Sequence, residues 1–466
     1  MRTFALLALL ASCTGEPKND DTADHTGGED TADSDSPDSP DSSGDSTDSG
    51  DSAESDDTAD TADTAETGDS GDTGDTGDSG PLDPEDLCPS LVAGTWTREA
   101  FSSWTEQWDP PDLVVADDHT VWIVHNRVLP DAAVSTRDPS GGWETTDLED
   151  VSGLNAIEPD GEGGVYVLAD YPGLGVRARQ GRPGAWTPLD TLGLSGAPSQ
   201  AVGAGPDGRL FALVTPDYDT LLRATWDGSA WSTTPLGTTP DYVEGVTLDV
   251  DGAGGVWSTW WADVGGRWGI LREDPTGAQS EVYRLPGNTL NWQKLDQAVT
   301  DVEGRPTPFL MVNDQNPFPP AGVSGIVGDG PLETIVSVDT SGYGRLPSGG
   351  EEGDHATETY ASVYPVGVVA HRGTVVWLWS TQAWTADWVF ECDSRGCFWT
   401  RLSLAVTATL DGACQFEDGP RATFTLSVDG APYVGRATFG PEGLLVATYE
   451  LGPDGGAGAA ALYHPW

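Results

Sequence analysis

Carboxylates dominate the side chains that could do chemistry in this 466-residue sequence. It has 76 Asp and Glu against 21 Lys and Arg and 6 His, which gives a formal charge of −55. A glycosidase of the usual type needs two carboxylates at a set separation, but so many acidic residues single out no pair. The charge also excludes nucleic acid as a partner, because phosphate backbones bind positive surfaces.

Motifs that fix a catalytic geometry are absent from the sequence. No Gly-x-Ser-x-Gly, His-Glu-x-x-His or phosphate-binding glycine loop occurs. His119 falls in a predicted turn and His125 at a predicted strand end, where a surface role is favoured over catalysis. Asp249 and Asp251 could ligate calcium, although the same pattern is typical of a tight turn. We therefore predict no catalytic residue, no bound metal and no cofactor.

The first cysteine ends an export signal. A short positive start at Arg2 precedes an apolar run, and Leu10-Ala-Ser-Cys13 resembles the lipobox of bacterial lipoproteins. That resemblance implies a signal peptide over residues 1–12, cleavage before Cys13 and a diacylglycerol on its sulfur. Thr14 resembles the pattern for outer-membrane retention. We expect a lipid-anchored outer-membrane protein at the cell surface, with the periplasmic side as the alternative, or an ordinary signal peptide with a chance Cys.

The other four cysteines predict two disulfides. Cys392 and Cys397 flank a hairpin-like turn that could bring their Cα atoms within about 7 Å. By elimination, Cys88 then pairs with Cys414. Zinc is the alternative, but no Cys-x-x-Cys motif supports it.

An acidic linker separates the anchor from the rest. Residues 14–80 contain 23 acidic residues, one basic residue and no aromatic residue. Such a segment cannot bury enough apolar surface to offset its ordering entropy, so we predict a disordered linker over residues 13–87. Similar Asp-Thr tethers occur on surface lipoproteins of Gram-negative bacteria, and this resemblance implies a spacer.

Residues 88–466 contain all 19 Trp and repeat a turn followed by an apolar strand with an aromatic residue near its start. The aromatic positions are Trp122, Tyr166, Phe211, Trp257, Phe309, Trp377 and Tyr433. A second aromatic follows at Trp143, Trp186 and Trp231, and less cleanly at Tyr283 and Trp399.

These repeated aromatic residues are here called anchors. Two anchors in a period of about 45 residues predict a four-stranded antiparallel unit. The strands on either side of the turn pair, and the second anchor marks the fourth strand. Repeated, such a unit resembles a blade of a β-propeller. We predict an all-β propeller of about seven four-stranded blades over residues 88–466, although six or eight blades also fit. Tandem immunoglobulin-like sandwiches would need a period near 100 residues.

The ends of this domain predict how the ring closes. Trp96 resembles a second anchor whose first three strands are missing upstream, so the N-terminal strand is predicted to complete the last blade. Alternatively, residues 459–463 fill that position themselves.

One turn carries a further resemblance. Thr136, Asp138, Gly141 and Trp143 resemble a degenerate Asp-box of sialidase-like propellers, with Ser140 where that motif has Gly. In that family the motif is structural, because its Asp bonds turn amides and its aromatic residue packs between blades. The resemblance therefore implies the fold and no activity.

Exposed aromatic residues are the best binding candidates, because propeller loops can present them to sugars or peptides. Trp384 is predicted to lie in a loop, Trp260 and Trp261 in an aromatic cluster, and Phe318 in a long polar loop. We predict a monomer that recognises a protein, peptide or glycan without catalysis. A carbohydrate-active hydrolase or lyase with a central site is the first alternative, and a structural envelope component is the second.

Overall fold

The structure, a computed structural model, describes the following parts of the chain. They are residues 82–101, 112–126, 132–148, 151, 153–171, 175–182, 184–191, 200–216, 220–238, 243–262, 267–284, 295–313, 322–338, 346–394, 396–427, 435–450 and 458–465. The predicted signal peptide, Cys13, the linker up to residue 81 and Phe318 lie outside them. Within the described parts, no helix is long and apolar enough to cross a membrane.

Seven four-stranded antiparallel sheets, here called blades, make up the described chain after one helix. Blade 1 is β2 (Asp112–Val115), β3 (Val121–Asn126), β4 (Ala132–Asp138) and β5 (Gly142–Leu148). Blade 2 is β6 (Gly153–Pro159), β7 (Val165–Tyr171), β8 (Gly175–Arg182) and β9 (Ala185–Thr191). Blade 3 is β10 (Gln200–Ala204), β11 (Leu210–Val214), β12 (Thr220–Trp226) and β13 (Trp231–Thr238). Blade 4 is β14 (Val243–Val250), β15 (Val256–Ala262), β16 (Arg267–Glu273) and β17 (Gln279–Arg284).

The remaining blades contain the longest strands and the chain ends. Blade 5 is β18 (Leu295–Val302), β19 (Arg305–Asn313), β20 (Gly322–Val327) and β21 (Glu333–Ser337). Blade 6 is β22 (His355–His371), β23 (Thr374–Asp393), β24 (Gly396–Phe416) and β25 (Ala422–Ser427). Blade 7 is β26 (Ala437–Phe439), β27 (Leu445–Glu450), β28 (Gly458–Tyr463) and, from the start of the domain, β1 (Trp96–Ala100).

The blades form a closed ring. The first strand of each blade contacts the first strand of the next, and β26 of blade 7 contacts β2 of blade 1. A separate apolar cluster fills each interface between neighbouring blades. The cluster between blades 7 and 1 packs Val121 and Ile123 against Val446 and Leu462. One small sheet cannot bury both faces alone, so each blade depends on its neighbours for a dry interior. The predicted seven-blade propeller is confirmed.

The N-terminal strand closes the ring as predicted. β1 is the outer strand of blade 7 and pairs antiparallel with β28, Trp96 opposite Tyr463. Residues 459–463 form the third strand of that blade, so the alternative is wrong. The pairing covers an edge of β28 that would otherwise present unpaired backbone groups.

Both predicted disulfides are present. Cys88 bonds Cys414 and Cys392 bonds Cys397. Cys88 lies on a helix, α1 (Pro84–Ala93), that crosses the predicted boundary between linker and propeller. Leu87 and Leu91 of α1 are buried against blades 6 and 7.

One predicted anchor was placed wrongly, and another lies outside the described residues. Trp399 lies in β24, the third strand of blade 6. Tyr433 lies outside the described residues, and the paired first strands of blade 7 are instead β26 and β27, joined at Pro441–Gly443. The pattern failed there because this turn has Pro-Glu-Gly and its second strand begins with Leu445 and Val446. By contrast, Trp143, Trp186 and Trp231 all lie in fourth strands, as predicted.

The two ends of the ring differ in their connections. At one end, here called the turn face, the strand connections have at most five residues, as in 116–120. At the other end, the loop face, connections of eight or more residues occur at six places. They are 101–111, 192–199, 285–294, 314–321, 338–354 and 428–436.

Blade 6 also projects from the loop face. β25 pairs only with Thr409–Cys414 of β24, so three strands continue beyond the ring without it. These segments, residues 355–364, 380–393 and 396–408, are called the extension.

Candidate functional site

The first strands of all seven blades line a cavity on the axis of the ring. Its volume is about 330 Å³. Five charged side chains belong to residues in its wall: Asp112, Glu158, Asp249, Asp296 and Arg436. This axial cavity is where a central enzyme site would lie, so the bonds of these five groups decide what chemistry it can do.

Three of the four carboxylates bond the neighbouring blade. Oδ2 of Asp112 accepts the backbone N–H of Ile157 at 3.1 Å. Oδ2 of Asp249 accepts that of Val299 at 2.7 Å, and Oδ2 of Asp296 accepts that of Val368 at 2.9 Å.

The second oxygen of each carboxylate is also engaged. Oδ1 of Asp112 and Oδ1 of Asp249 accept the backbone N–H of the next residue, at 3.1 and 2.8 Å. Oδ1 of Asp296 instead accepts a hydrogen bond from Nη1 of Arg436 at 3.2 Å. These three side chains therefore act as clasps between blades, and their oxygens are occupied.

Glu158 is different, because its carboxylate has no hydrogen-bond partner among the described residues. Burial raises its pKa well above the ordinary value, and the carboxylates of Asp249 and Asp112 raise it further. Burial also raises the pKa of Asp249, to about 7, despite the two backbone N–H groups that lower it. Among the described wall residues, Glu158 thus has the one carboxyl group without a hydrogen-bond partner.

The predicted aromatic site residues are placed as follows. Trp384 lies within β23 and not in a loop, is 5 % exposed, and stacks on Tyr360 at 5.6 Å between ring centroids. Its place in a loop is wrong, because β23 continues well past the ring. Trp260, in β15, is half-buried against the cluster between blades 3 and 4. Trp261 is also in β15, but its side chain lies outside the described residues, as does Phe318.

The outer surface of the extension carries a polar row that the sequence analysis missed. Thr357 donates to Oδ1 of Asp387 at 2.9 Å, and Ser403 donates to Oδ2 at 2.8 Å. These hydrogen bonds lower the pKa of Asp387. Beside the row lie His355 and Leu402, the latter 56 % exposed at a bulge in β24. Only the pairing of three long strands brings these residues together, so no local signal marks them.

Asp249 and Asp251, the two residues that could ligate calcium, have different roles in the structure. Asp249 is an axial clasp, whereas Asp251 caps a turn, where it accepts the N–H groups of Ala253 and Gly255 at 3.0 and 2.7 Å. Among the described residues, no group of three or more His, Cys, Asp or Glu could hold a metal ion. The two N–H groups that Asp251 accepts agree with the tight-turn interpretation of this residue.

The two histidines and the Asp-box aspartate singled out in the sequence all have structural surroundings. His125 is buried, not on the surface, and its Nε2 lies 2.9 Å from Oγ of Ser135. His119 lies in the turn between β2 and β3, as predicted. Asp138 accepts the N–H groups of Ser140 and Gly141 at 2.7 and 3.1 Å, which is ordinary turn capping.

Comparison with known proteins gives similarity of architecture only. No family model matches the chain, and no curated protein matches it. Among solved structures, virginiamycin B lyase from Staphylococcus aureus aligns over 79% of this chain and 100% of its own, with 12% identity and a TM-score of 0.45. AofleA from Arthrobotrys oligospora aligns over 67% and 92%, with 10% identity and a TM-score of 0.42. The Aleuria aurantia lectin bound to Fucα1-6GlcNAc aligns over 65% and 97%, with 10% identity and a TM-score of 0.41.

Proposed function

We propose that this chain is a lipid-anchored outer-membrane protein whose propeller recognises a protein, peptide or glycan ligand without catalysis. The observation that carries the proposal is the engagement of the axial carboxylates. Asp112, Asp249 and Asp296 each bond a neighbouring blade, so the centre of the ring is built mainly to hold the blades together. Cys13 and the acidic linker supply the anchor and the spacer.

The loop face is the proposed binding surface. Recognition residues in rigid folds concentrate on loops at one end of the scaffold, and here all the connections of eight or more residues leave from this face. The extension adds a polar row with a carboxylate held between two hydroxyl groups and an exposed leucine beside it. Helix α1, where the described chain begins, packs on blades 6 and 7 near the turn face.

A carbohydrate-active hydrolase or lyase is the second candidate. The observation that favours it is the pair of raised pKa values at Glu158 and Asp249 in a cavity, since perturbed carboxylates cluster at active sites. Hydrolysis of the usual type needs a second free carboxylate. Both oxygens of Asp249 already accept backbone N–H groups, so the recognition proposal accounts for more of the geometry.

A binding screen with product analysis tests the proposal. The full chain and its Glu158→Gln variant are incubated with a glycan array, peptidoglycan fragments and an envelope peptide library. We expect a ligand that both proteins retain equally and that is recovered with unchanged mass. Cleavage products formed by the wild type and abolished in Glu158→Gln would overturn the recognition proposal and establish the enzyme.

A further inference from the structure

The first four blades share one turn, and blade 1 departs from it. The connections 116–120, 160–164, 205–209 and 251–255 join the first and second strands of these blades. Their fourth position is left-handed, with Gly163, Gly208 and Gly254 at φ +81°, +78° and +83°. Blade 1 has His119 there, at φ +66°. A side chain in this region is strained, so a histidine held where glycine fits best points to a use for its imidazole.

The imidazole lies between the first and last blades of the ring. Nε2 of His119 is 3.7 Å from Oε2 of Glu442, which belongs to the turn between β26 and β27. Both residues line a cavity of about 380 Å³ on the turn face, together with Asp118, Arg137 and His464. We call this the seam cavity. Its volume lies within the range of small-molecule pockets.

One wall of the seam cavity is rigid. Arg137 is 8 % exposed, and its Nε and Nη2 donate to the two carboxylate oxygens of Glu99 at 2.6 and 2.9 Å. Trp143 also donates to Glu99, at 2.9 Å. The guanidinium is therefore fixed before any ligand arrives, which reduces the entropy lost on binding.

The polar groups of the cavity are of mixed type. Asp118 and Glu442 offer carboxylate acceptors, and the fixed guanidinium of Arg137 offers donors. Burial, with Arg137 nearby, lowers the pKa of His464, which favours the neutral form of its ring. Pro139 and Leu444 add apolar surface. Hydroxyl groups, which both donate and accept, match such a wall better than a simple anion or cation does.

We propose that the seam cavity between blades 1 and 7 binds a saccharide, with His119 and Glu442 contacting its hydroxyl groups. The site is on the opposite end of the ring from the loop face, and it does not depend on a ligand there.

Substitutions at His119 test this site without threatening the fold. Glycine is the residue of the equivalent turns, and asparagine tolerates the left-handed region, so His119→Gly and His119→Asn should both fold. Glu303→Asn is the matched control, because Glu303 is exposed and is also left-handed, at φ +51°, but lies in the turn between β18 and β19, away from both proposed sites. Binding of free neutral hexoses, deoxyhexoses and N-acetylhexosamines to the full chain is measured by saturation-transfer NMR, and Tm by calorimetry.

We expect at least one of these sugars to bind the wild type and Glu303→Asn alike. Both His119 variants should bind it at least tenfold more weakly, as should Glu442→Gln, while the Tm of His119→Gly stays the same or rises. The proposal is overturned if none of the sugars binds the wild type, or if the His119 variants bind as well as it does. A lower Tm in both His119 variants would make His119 a structural residue and would equally overturn it. Binding that is confined to the loop face would leave the proposed function standing while removing this site.

Discussion

Trp96 lies directly opposite Tyr463, with their ring centroids 5.5 Å apart, so the first strand of the ring packs on the last strand of the chain. The same indole stacks on Phe424 of blade 6 at 6.0 Å. Trp96 therefore contacts two blades that are distant from it in sequence. This contact is one of several that close the ring, and several measurable properties follow from the closure.

Loss of the long-range disulfide should destabilise the ring. Cys88 and Cys414 are 326 residues apart, and chain entropy alone gives such a crosslink roughly 6 kcal/mol. Measured effects are usually smaller, so we expect Cys88→Ser to lower the free energy of unfolding by about 2–5 kcal/mol in denaturant titrations.

The second disulfide provides the matched control. Cys392 and Cys397 are only 5 residues apart, for which the same entropy model gives roughly 2 kcal/mol. Cys392→Ser with Cys397→Ser should therefore cost less than Cys88→Ser. Equal losses, or none for Cys88→Ser, would contradict the stated role of the long-range disulfide.

The axial carboxylates should make the protein less stable as pH rises. The pKa of Asp249 in the folded state, about 7, lies above its ordinary value of 3.8. Between these two pH values the folded state therefore binds more protons than the unfolded state. Stability from this group is fully present below pH 3.8 and is lost as pH rises to about 7. Glu158 acts in the same direction.

Glu158→Gln removes one of these buried charges and no hydrogen bond to a described residue. We expect the variant to match the wild type near pH 4 and to melt on the order of 2 °C or more higher at pH 8. Melting curves across this range check the prediction. A variant that is less stable than the wild type at pH 8 would show that the carboxylate is needed in its charged form.

Trp384 should matter for the extension's packing. The indole is buried and stacked on Tyr360, so Trp384→Ala leaves a cavity. Replacing a buried Trp by Ala typically lowers the free energy of unfolding by about 3–5 kcal/mol. We expect faster amide exchange in residues 355–364 and 380–408. Thr385→Ala, at the adjacent exposed position, should leave exchange unchanged. Unaltered exchange in Trp384→Ala would count against this packing role.

Membrane attachment should depend on a single sulfur atom. We expect Cys13→Ala to move the protein from the membrane fraction to the soluble fraction, because the acyl chains are the proposed anchor. Fractionation with immunoblotting checks this. A Cys13→Ala protein that stays in the membrane fraction would refute the lipobox interpretation.

Local signals were sufficient to predict the repeated blades. The anchors Trp122 and Phe211 are nearly fully buried in second strands, where neighbouring blades cover both faces. The seventh unit was misplaced because its turn at Pro441–Gly443 lacks the Asp-Gly signal. The projecting strands of blade 6 were missed because their length depends on pairing beyond the ring, and a repeat period does not encode it.

The polar sites could not be predicted, because their partners are distant in sequence. Asp112 bonds a residue 45 positions away and Asp296 one 72 positions away. Either aspartate alone resembles many others in this acidic chain. His119 and Glu442 come from opposite ends of the domain and meet only because the ring closes. Two features were nevertheless predicted from residue spacing and elimination, namely the Cys88–Cys414 bond and the closing strand.

Hydrogen exchange of β1 tests the closed ring most directly. Mass spectrometry of the full chain follows the amides of residues 96–100 and 459–463 over time. Closure predicts that β1 is protected together with β28 and that both lose protection in the same unfolding event. Exchange of β1 at the rate of an unstructured peptide, while β28 stays protected, would contradict a ring closed by its N-terminal strand.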